Sequence, residues 1–202
     1  MSLLNEFENK YWSINKLVMG IDEAGRGPLC GPLCVACCVL PVGYSNDLIN
    51  DSKKLSEKKR EALFEVIKKD ALFYDVKIVS PKEIDELNIY AATKKAMSEL
   101  ALEKDVEVVL TDAMPIEDNP KVIPIIKGDA KSISIAAASI LAKVTRDHIM
   151  YEIDKLYPEY EYRKHKGYPT KRHIELMNEY GVFDIYRFSY KPCQNVKFRK
   201  DM

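Results

Sequence analysis

The sequence predicts an α/β protein, in which helices flank a mixed β-sheet and a small helical lobe follows at the C-terminal end. Two strand-like segments come first, separated only by a short Gly/Pro-rich connection. Strand-like and helical segments then alternate, and only helical patterns occur beyond residue 134. With 202 residues, 47% of them hydrophobic, the chain is long enough to bury a substantial core.

The N-terminal half contains three predicted strands and one helix. Residues 16–21 form a short apolar strand, and residues 33–40 form a continuous apolar run that is typical of a strand buried on both faces. Ser56 is a suitable N-cap for a helix that extends to about residue 70 and carries its apolar side chains on one face. Residues 72–79 alternate between apolar and polar side chains, as in a strand.

The rest of the chain is predicted to add two strands and several helices, beginning with a helical region at Pro81. The segments are a helix over 89–103, strands over 107–111 and 122–126, a helix over 134–157, a loop over 158–169, and a helix over 170–180 that Gly181 closes. We assign residues 1–157 to the main domain. Residues 158–202 form the helical lobe and tail, packed on the same domain.

The charges are balanced over the whole chain but not along it. The 31 basic and 31 acidic residues disfavour a bulk electrostatic nucleic-acid binder, which is usually strongly basic. Residues 163–202 contain ten Lys/Arg and four Asp/Glu, a net charge of +6, so residues 1–162 carry −6. A basic C-terminal region suits a phosphate backbone and an acidic remainder suits divalent cations, although ordinary solvated surfaces give the same pattern.

The cysteines and the apolar segments indicate a cytoplasmic protein. An odd number of cysteines, four of them crowded between residues 30 and 38, argues against a disulfide framework. Cys34 and Cys37 form a C-x-x-C pair, but no second pair and no neighbouring histidine accompany it, which favours buried thiols over a zinc or redox site. No apolar stretch reaches the roughly 18 residues of a membrane span, and the first residues do not resemble a signal peptide.

Three aspartates share one sequence context, because Asp22, Asp112 and Asp129 each follow a predicted buried strand, and Glu23 adjoins the first. Strand ends in α/β sheets often carry sites, and clustered carboxylates repel one another unless cations neutralise them. Such oxygen ligands select Mg²⁺ or Mn²⁺, and two ions about 3.5–4 Å apart would support an in-line displacement at phosphorus. Each acid alone would also fit a loop or helix-cap role, since spacing does not prove that the acids converge.

Five motifs extend the pattern over residues 16–192. They are Gly20–Pro28 (GIDEAGRGP), Asn50–Leu55 (NDSKKL), Lys127–Asp129 (KGD), Ala137–Asp147 (AASILAKVTRD) and His165–Thr170 (HKGYPT). In this order they resemble the ribonuclease HII family, and several long ordered motifs are a specific signal. Relatives of the HIII type usually carry an additional N-terminal domain and a different first motif. One departure is Ala113 after Asp112, where many HII members have glycine.

The resemblance implies a ribonuclease-H-like fold with a C-terminal helical lobe. It also implies an endonuclease that hydrolyses the RNA strand of RNA–DNA hybrids, including single ribonucleotides in duplex DNA, and leaves 3′-hydroxyl and 5′-phosphate ends. The implied catalytic and metal-binding residues are Asp22, Glu23, Asp112 and Asp129, with Mn²⁺ or Mg²⁺ as the cofactor. Water is the attacking group, so no side-chain nucleophile is needed.

The implied substrate-binding residues lie in the same motifs. Gly25 and Gly27 would let the backbone approach a ribose 2′-hydroxyl, the group that separates RNA from DNA. Tyr168 would stack on the next sugar, with a loop aromatic packed on the core as the alternative. The candidate phosphate contacts are Arg26, Lys53, Lys143 and Arg146, with ordinary surface solvation as the alternative.

Two other functions fit the same fold class. One is a different metal nuclease or an integrase-like strand transferase, which the Gly25–Gly27 segment and Tyr168 disfavour. The other is a catalytically silent hybrid-binding module, which the four carboxylates disfavour because phosphate binding needs no acidic cluster. We expect a monomer without a membrane partner, and a sliding clamp is an open candidate partner.

Overall fold

The computed structural model describes residues 5–50, 52 and 55–199, and its strands form one five-stranded sheet in the order β3-β2-β1-β4-β5. The strands are β1 (Val18–Ala24), β2 (Leu33–Val39), β3 (Phe73–Val79), β4 (Val108–Asp112) and β5 (Val122–Ile125). β1 pairs antiparallel with β2, and β2 with β3, whereas β1, β4 and β5 run parallel. The predicted mixed sheet is confirmed, and the carboxyl ends of the three parallel strands lie at one edge.

Helices cover the sheet and follow it at the C-terminal end. They are α1 (Glu6–Trp12), α2 (Glu57–Asp70), α3 (Pro81–Leu87), α4 (Ile89–Glu103), α5 (Ile133–Leu156), α6 (Tyr162–His165), α7 (Lys171–Tyr180) and α8 (Lys191–Gln194). The predicted N-cap of α2 is confirmed, since the Ser56 side chain accepts a hydrogen bond from the amide of Lys59. Gly181 closes α7 with a positive φ of 93°, as expected for a glycine after a helix.

Two predicted boundaries were wrong, both for tertiary reasons. The first strand extends to Ala24 because its last residues pair with β2, so Asp22 and Glu23 lie inside the strand and not after it. The segment 158–169 is not a plain loop, since it contains a 3₁₀ turn (Pro158–Tyr160) and α6. Tyr160 and Tyr162 drive this compaction, because both rings are fully buried and stack with centroids 5.2 Å apart.

The long helix α5 lies directly against the centre of the sheet. A Cβ on Gly20 of β1 would stand 2.1 Å from the carbonyl carbon of Ser134, so only glycine permits this close approach. β2 is buried along its whole length, as its apolar run predicts, with α5 over one face of the sheet and α4 over the other. This packing fixes the start of α5 beside the edge where the parallel strands end.

A separate aromatic core holds the C-terminal segment (residues 158–199). It joins Tyr160, Phe183 and Tyr186 of this segment to Leu29 and to Met150 of α5. The boundary at residue 157 stays a prediction, because this core combines residues from both sides of it. The C-terminal segment packs against the connection between β1 and β2, against α5 and, through Asp85, against α3.

All five cysteines are free and buried, in agreement with the sequence analysis. Burial raises the pKa of the Cys34 and Cys37 thiols to about 12, so neither is a reactive thiolate near neutral pH. Within the described residues, no helix combines the length and the apolar character needed to cross a membrane.

Candidate active site

The sheet brings three of the predicted acids together at its carboxyl edge. One carboxylate oxygen from each of Asp22, Asp112 and Asp129 lies within 4.8 Å of the others, and we call these residues the acidic cluster. Asp22 lies in β1, Asp112 ends the neighbouring parallel strand β4, and Asp129 lies in a 3₁₀ turn after β5. Each of three adjacent parallel strands, or the turn that follows it, therefore contributes one acid.

Asp22 is a buried member of the acidic cluster with a raised pKa. Its side chain is almost entirely buried, with 3% exposure, and burial raises its pKa well above the ordinary value. The neighbouring charges of Glu23 and Asp112 raise the pKa further. The backbone amide of Glu23 donates to Asp22 Oδ1 over 2.7 Å, and Ser139 of α5 also hydrogen-bonds this carboxylate. These two donors hold the carboxylate in place but do not neutralise it.

The turns around Asp112 and Asp129 are tightly connected. The amide of Gly128 donates to Asp112 Oδ1 over 2.8 Å, which ties the turn that carries Asp129 to the end of β4. Ala113 has a φ of +55°, in the left-handed region that favours glycine. The glycine of many relatives at this place is thus explained by backbone geometry, and alanine adopts the same turn at a cost of about 1 kcal/mol.

Glu23 lies beside the acidic cluster but is not one of the three converging residues. Its carboxylate is 3.5 Å from the Nη1 atom of Arg26, which follows it by three residues. The side chain of Glu23 is only 13% exposed, so this ion pair lies at the rim of the site.

The acidic cluster fits a hard divalent cation. Three carboxylate oxygens this close, one of them on a buried aspartate with a raised pKa, repel one another in the absence of a cation. Oxygen ligands of this type suit Mg²⁺ and Mn²⁺ and not the softer metals that thiolates select. Asp22, Asp112 and Asp129 are therefore the residues that would hold the metal.

The acidic cluster opens into a small cleft with a volume of about 200 Å³. Its lining combines the acids Asp22, Glu23 and Asp112 with the backbone of residues 24–27 and the side chains of Ser52, Ser139, Lys143 and Tyr168. Among the described residues, the larger cavities, such as one of about 390 Å³ beside α4, contain no further group of three side chains that could bind a metal. The carboxylates, the backbone of residues 24–27, the Lys143 ammonium group and the Tyr168 ring all line this one cleft.

Tyr168 lines the same cleft as the acids and lies beside Gly27. It is 41% exposed, and its ring lies 3.5 Å from the point where a side chain on Gly27 would begin. The imidazole of His173 lies under the Tyr168 backbone, with Nδ1 2.9 Å from the carbonyl oxygen of Tyr168. Since a carbonyl only accepts, Nδ1 carries the proton, and Nε2 accepts from the Tyr186 hydroxyl at 3.1 Å. Burial lowers the pKa of His173 to about 4, so this neutral form persists.

The segment between β1 and β2, which we call the glycine loop (residues 25–32), begins in a backbone conformation that glycine adopts readily and other residues do not. Gly25 has a φ of +107°, and a Cβ there would lie 2.3 Å from Nε of Arg146. Glycine is required at this position for two reasons, its backbone angle and the side chain packed beneath it. Gly27 has no such internal constraint and faces the cleft.

The interpretation of Arg146 as a phosphate contact was wrong. Its side chain is 1% exposed, and its donors bond to the carbonyl oxygens of Pro32, Lys166 and Cys30 at 2.9, 3.0 and 3.1 Å. A phosphate cannot reach a guanidinium that is enclosed and already hydrogen-bonded. Arg146 instead supports the glycine loop and the segment that carries Tyr168.

Two of the other side chains that were predicted to contact phosphate lie at the cleft. Lys143 lines the cleft and forms an ion pair with the buried Asp147, with 2.6 Å between Nζ and Oδ1. Arg26 is exposed at the rim of the cleft. Lys53 lies outside the described residues, so its role stays a prediction.

The sequence analysis missed Arg187, which is fully buried beneath the glycine loop. Its guanidinium donates to the carbonyl oxygens of Gly25 and Gly31 and, through Nη1, to that of Arg26. It also missed His173 and Ser139, although Ser139 lies within a quoted motif. No charge or periodicity pattern distinguishes these residues from surface or core positions.

Comparisons with known proteins agree with this geometry. A sequence model of the Ribonuclease HII family matches residues 19–193. The ribonuclease HII of Caldanaerobacter subterraneus subsp. tengcongensis is 56% identical over 176 residues, which cover 86% of this chain and 73% of that relative. The ribonuclease H2 structure from Pyrococcus horikoshii OT3 aligns with a TM-score of 0.77 at 30% identity and covers 88% of this chain and 95% of that one. The PCNA:RNase HII complex from Archaeoglobus fulgidus contains a chain with a TM-score of 0.74 at 28% identity, covering 92% and 98%.

Proposed function

Because the chain belongs to the ribonuclease HII family, whose members cleave the RNA of RNA–DNA hybrids, we propose that it also cuts at single ribonucleotides embedded in duplex DNA. The proposed reaction is hydrolysis of the phosphodiester by water, giving 3′-hydroxyl and 5′-phosphate ends. The observation that carries the proposal is one cleft that combines the acidic cluster with the glycine loop and Tyr168.

The acids have the role of holding divalent metal. Asp22, Asp112 and Asp129 would bind Mg²⁺ or Mn²⁺, and Glu23 would join them once Arg26 moves toward the substrate. Two bound ions would activate water and stabilise the leaving oxygen. Ser139 and the amide of Glu23 keep the Asp22 carboxylate oriented before the metal arrives. This orientation matters because reacting groups must be held closely in position.

The glycine loop and Tyr168 would read the nucleic acid. Gly27 is exposed, and the buried Gly25 lines the same cleft without a side chain, which suits close contact of this backbone with a ribose 2′-hydroxyl. The exposed ring of Tyr168 would stack on the following sugar, which is a deoxyribose when the ribonucleotide is isolated. Arg26, Lys53 and Lys143 are the proposed phosphate contacts, and these side chains would position the duplex without reading its sequence.

A hybrid-binding protein without activity is the second candidate, and the acidic cluster argues against it. Carboxylates at the centre of a nucleic-acid surface repel phosphates, so they weaken binding unless metal is present. An integrase-like transferase would require a strand end as the nucleophile. The backbone and ring beside the acids instead suit a continuous strand with one distinct sugar.

Cleavage of a labelled DNA duplex that contains one ribonucleotide tests the function. We expect a single cut, with 3′-hydroxyl and 5′-phosphate ends, in Mg²⁺ or Mn²⁺, and no cut in an all-DNA duplex of the same sequence. The Asp129→Asn variant is the matched control, since it keeps the size of the side chain and removes a charged ligand. Binding without cleavage under either metal would support the silent hybrid-binding protein instead.

A sliding clamp is the proposed protein partner, because the Archaeoglobus relative was solved as a PCNA:RNase HII complex. We also propose that the chain itself is a monomer. Size-exclusion chromatography with and without the clamp of the source organism tests both statements. A shift of the chain alone to twice its 23.2 kDa mass would contradict the monomer.

A further inference from the structure

Arg187 is a fully buried arginine that the proposed chemistry does not use. It lies in the C-terminal segment, between α7 and α8, and it reaches across to the glycine loop. Its Nη2 is 2.7 Å from the carbonyl oxygen of Gly25, and its Nη1 is 3.1 Å from that of Arg26. The Tyr190 hydroxyl donates to the same Arg26 carbonyl over 2.8 Å. Two consecutive carbonyl groups are thus drawn toward one buried side chain.

This arrangement determines the direction of two amide groups. A peptide unit is planar and, with no cis bond in the described residues, its N–H points opposite to its C=O. The Gly25 carbonyl shares its peptide plane with the amide of Arg26, and the Arg26 carbonyl shares its plane with the amide of Gly27. When Arg187 holds both carbonyls inward, both N–H groups point outward.

The outward direction leads into the candidate active site. Arg26 and Gly27 are exposed, and both line the cleft beside the acidic cluster. Among the described residues, no group accepts a hydrogen bond from either of these two amides. The loop therefore presents two adjacent N–H donors that are free to bond to solvent or to a ligand.

We propose that Arg187 is a positioning residue that aims the Arg26 and Gly27 amides at the 2′-oxygen of the ribonucleotide. This inference rests on the proposed function and adds a structural cause for its sugar selectivity. The guanidinium is suited to the role because its planar fork binds two carbonyls at a fixed spacing. A lysine ammonium at the same place lacks this planar fork, so it would hold the two carbonyls at a less defined spacing.

The test measures discrimination between sugars by equilibrium binding. Arg187→Lys is made in the Asp129→Asn protein, which we expect not to cleave. The dissociation constants are then measured for a duplex with one ribonucleotide and for the all-DNA duplex. We expect Arg187→Lys to reduce the ratio of the two constants about 3- to 10-fold, the effect of about one misdirected hydrogen bond. A partly unfolded sample would weaken both affinities equally and leave this ratio unchanged.

Two further variants keep the test decisive. Arg199→Lys makes the same change in the C-terminal segment at an arginine that pairs with Glu159, away from the glycine loop, and should keep the ratio. Tyr190→Phe removes only the hydroxyl bound to the Arg26 carbonyl and should reduce the ratio two- to threefold, even if Arg187→Lys does not fold. An unchanged ratio in the folded variants, or no sugar preference before mutation, would overturn the inference. Cleavage by the unmodified protein, assayed in parallel, tests the proposed function separately.

Discussion

The acidic cluster and the glycine loop face the same cleft, but their buried charges are balanced in opposite ways. Asp22 lies beside other carboxylates, so its pKa is raised by burial and by its neighbours. Beneath the glycine loop, Arg146 and Arg187 are buried among carbonyl oxygens, which satisfy the guanidinium donors. The carboxylates need a ligand to be neutralised, whereas the donors of the two buried arginines are already satisfied by the protein.

This difference distinguishes residues that bind a ligand from residues that hold the binding site in place. A buried acidic group without a cation destabilises the fold, and such a cost is typical of functional positions. A buried arginine that bonds several carbonyls stabilises the loop around it, and its removal would leave those carbonyls unsatisfied. Substitutions in these two groups of residues should therefore have opposite effects on stability, which the following predictions test.

The largest expected effect is on activity, at Asp22. Asp22→Asn keeps the side-chain shape and an oxygen that accepts from Glu23, but it removes a metal ligand. We expect cleavage to fall roughly a thousandfold, about 4 kcal/mol of activation free energy. The metal-free protein should be equally stable or more stable by up to about 1 kcal/mol, because a repulsion is removed. Near-normal turnover at saturating Mg²⁺ would remove Asp22 from the site.

The second prediction concerns Arg146 and has the opposite sign for stability. Arg146→Met keeps much of the apolar stem but leaves the carbonyls of Pro32, Cys30 and Lys166 without their donor. We expect the free energy of unfolding in urea to fall by roughly 3–5 kcal/mol. Lys155→Met, on the exposed end of the same helix, is the control and should change little. An unfolding midpoint equal to that of the unmodified protein would mean that the loop does not depend on Arg146.

The third prediction is that the free energy of unfolding depends on pH through His173, which packs against the backbone of Tyr168. The folded protein keeps His173 neutral, with a pKa of about 4, whereas an unfolded histidine has a pKa of about 6.5. The stability that His173 contributes is complete above pH 6.5 and is lost as the pH falls toward 4, since only the unfolded chain binds the proton. The loss is on the order of 3 kcal/mol. Urea unfolding between pH 7.5 and 4.5 should show a smaller loss in His173→Asn, while His148→Asn, at an exposed histidine, should behave as the unmodified protein.

The smallest expected effect is on substrate choice, at Tyr168. If its ring stacks on the deoxyribose after the ribonucleotide, Tyr168→Ala should lower kcat/KM for a single embedded ribonucleotide about tenfold. The loss on a long RNA tract should be smaller, because that substrate has a 2′-hydroxyl at the same place. Tyr168→Phe should be milder, since the ring face makes the contact. Equal losses on both substrates would show that Tyr168 only supports its own loop.

The amino-acid sequence by itself predicted most of the elements and all three residues of the acidic cluster. The apolar run at residues 33–40 predicts a fully buried strand, and Ser56 predicts the start of α2, because these signals depend on neighbouring residues alone. Asp22, Asp112 and Asp129 were identified through their positions near strand ends and through the family motifs. Parallel pairing of β1, β4 and β5 then brings them together.

Only the tertiary structure decided which charged side chains turn inward. Nothing in the neighbouring sequence distinguishes Arg146 and Arg187 from arginines on the surface. Arg146 was misinterpreted as a phosphate contact for that reason. Their partners are backbone carbonyls 114 and 162 residues away along the chain, at Pro32 and Gly25. A carbonyl group is present at every residue, so no sequence pattern marks the few that a buried guanidinium will find. The arginines meet these carbonyls only when α5 and the C-terminal segment have packed against the glycine loop.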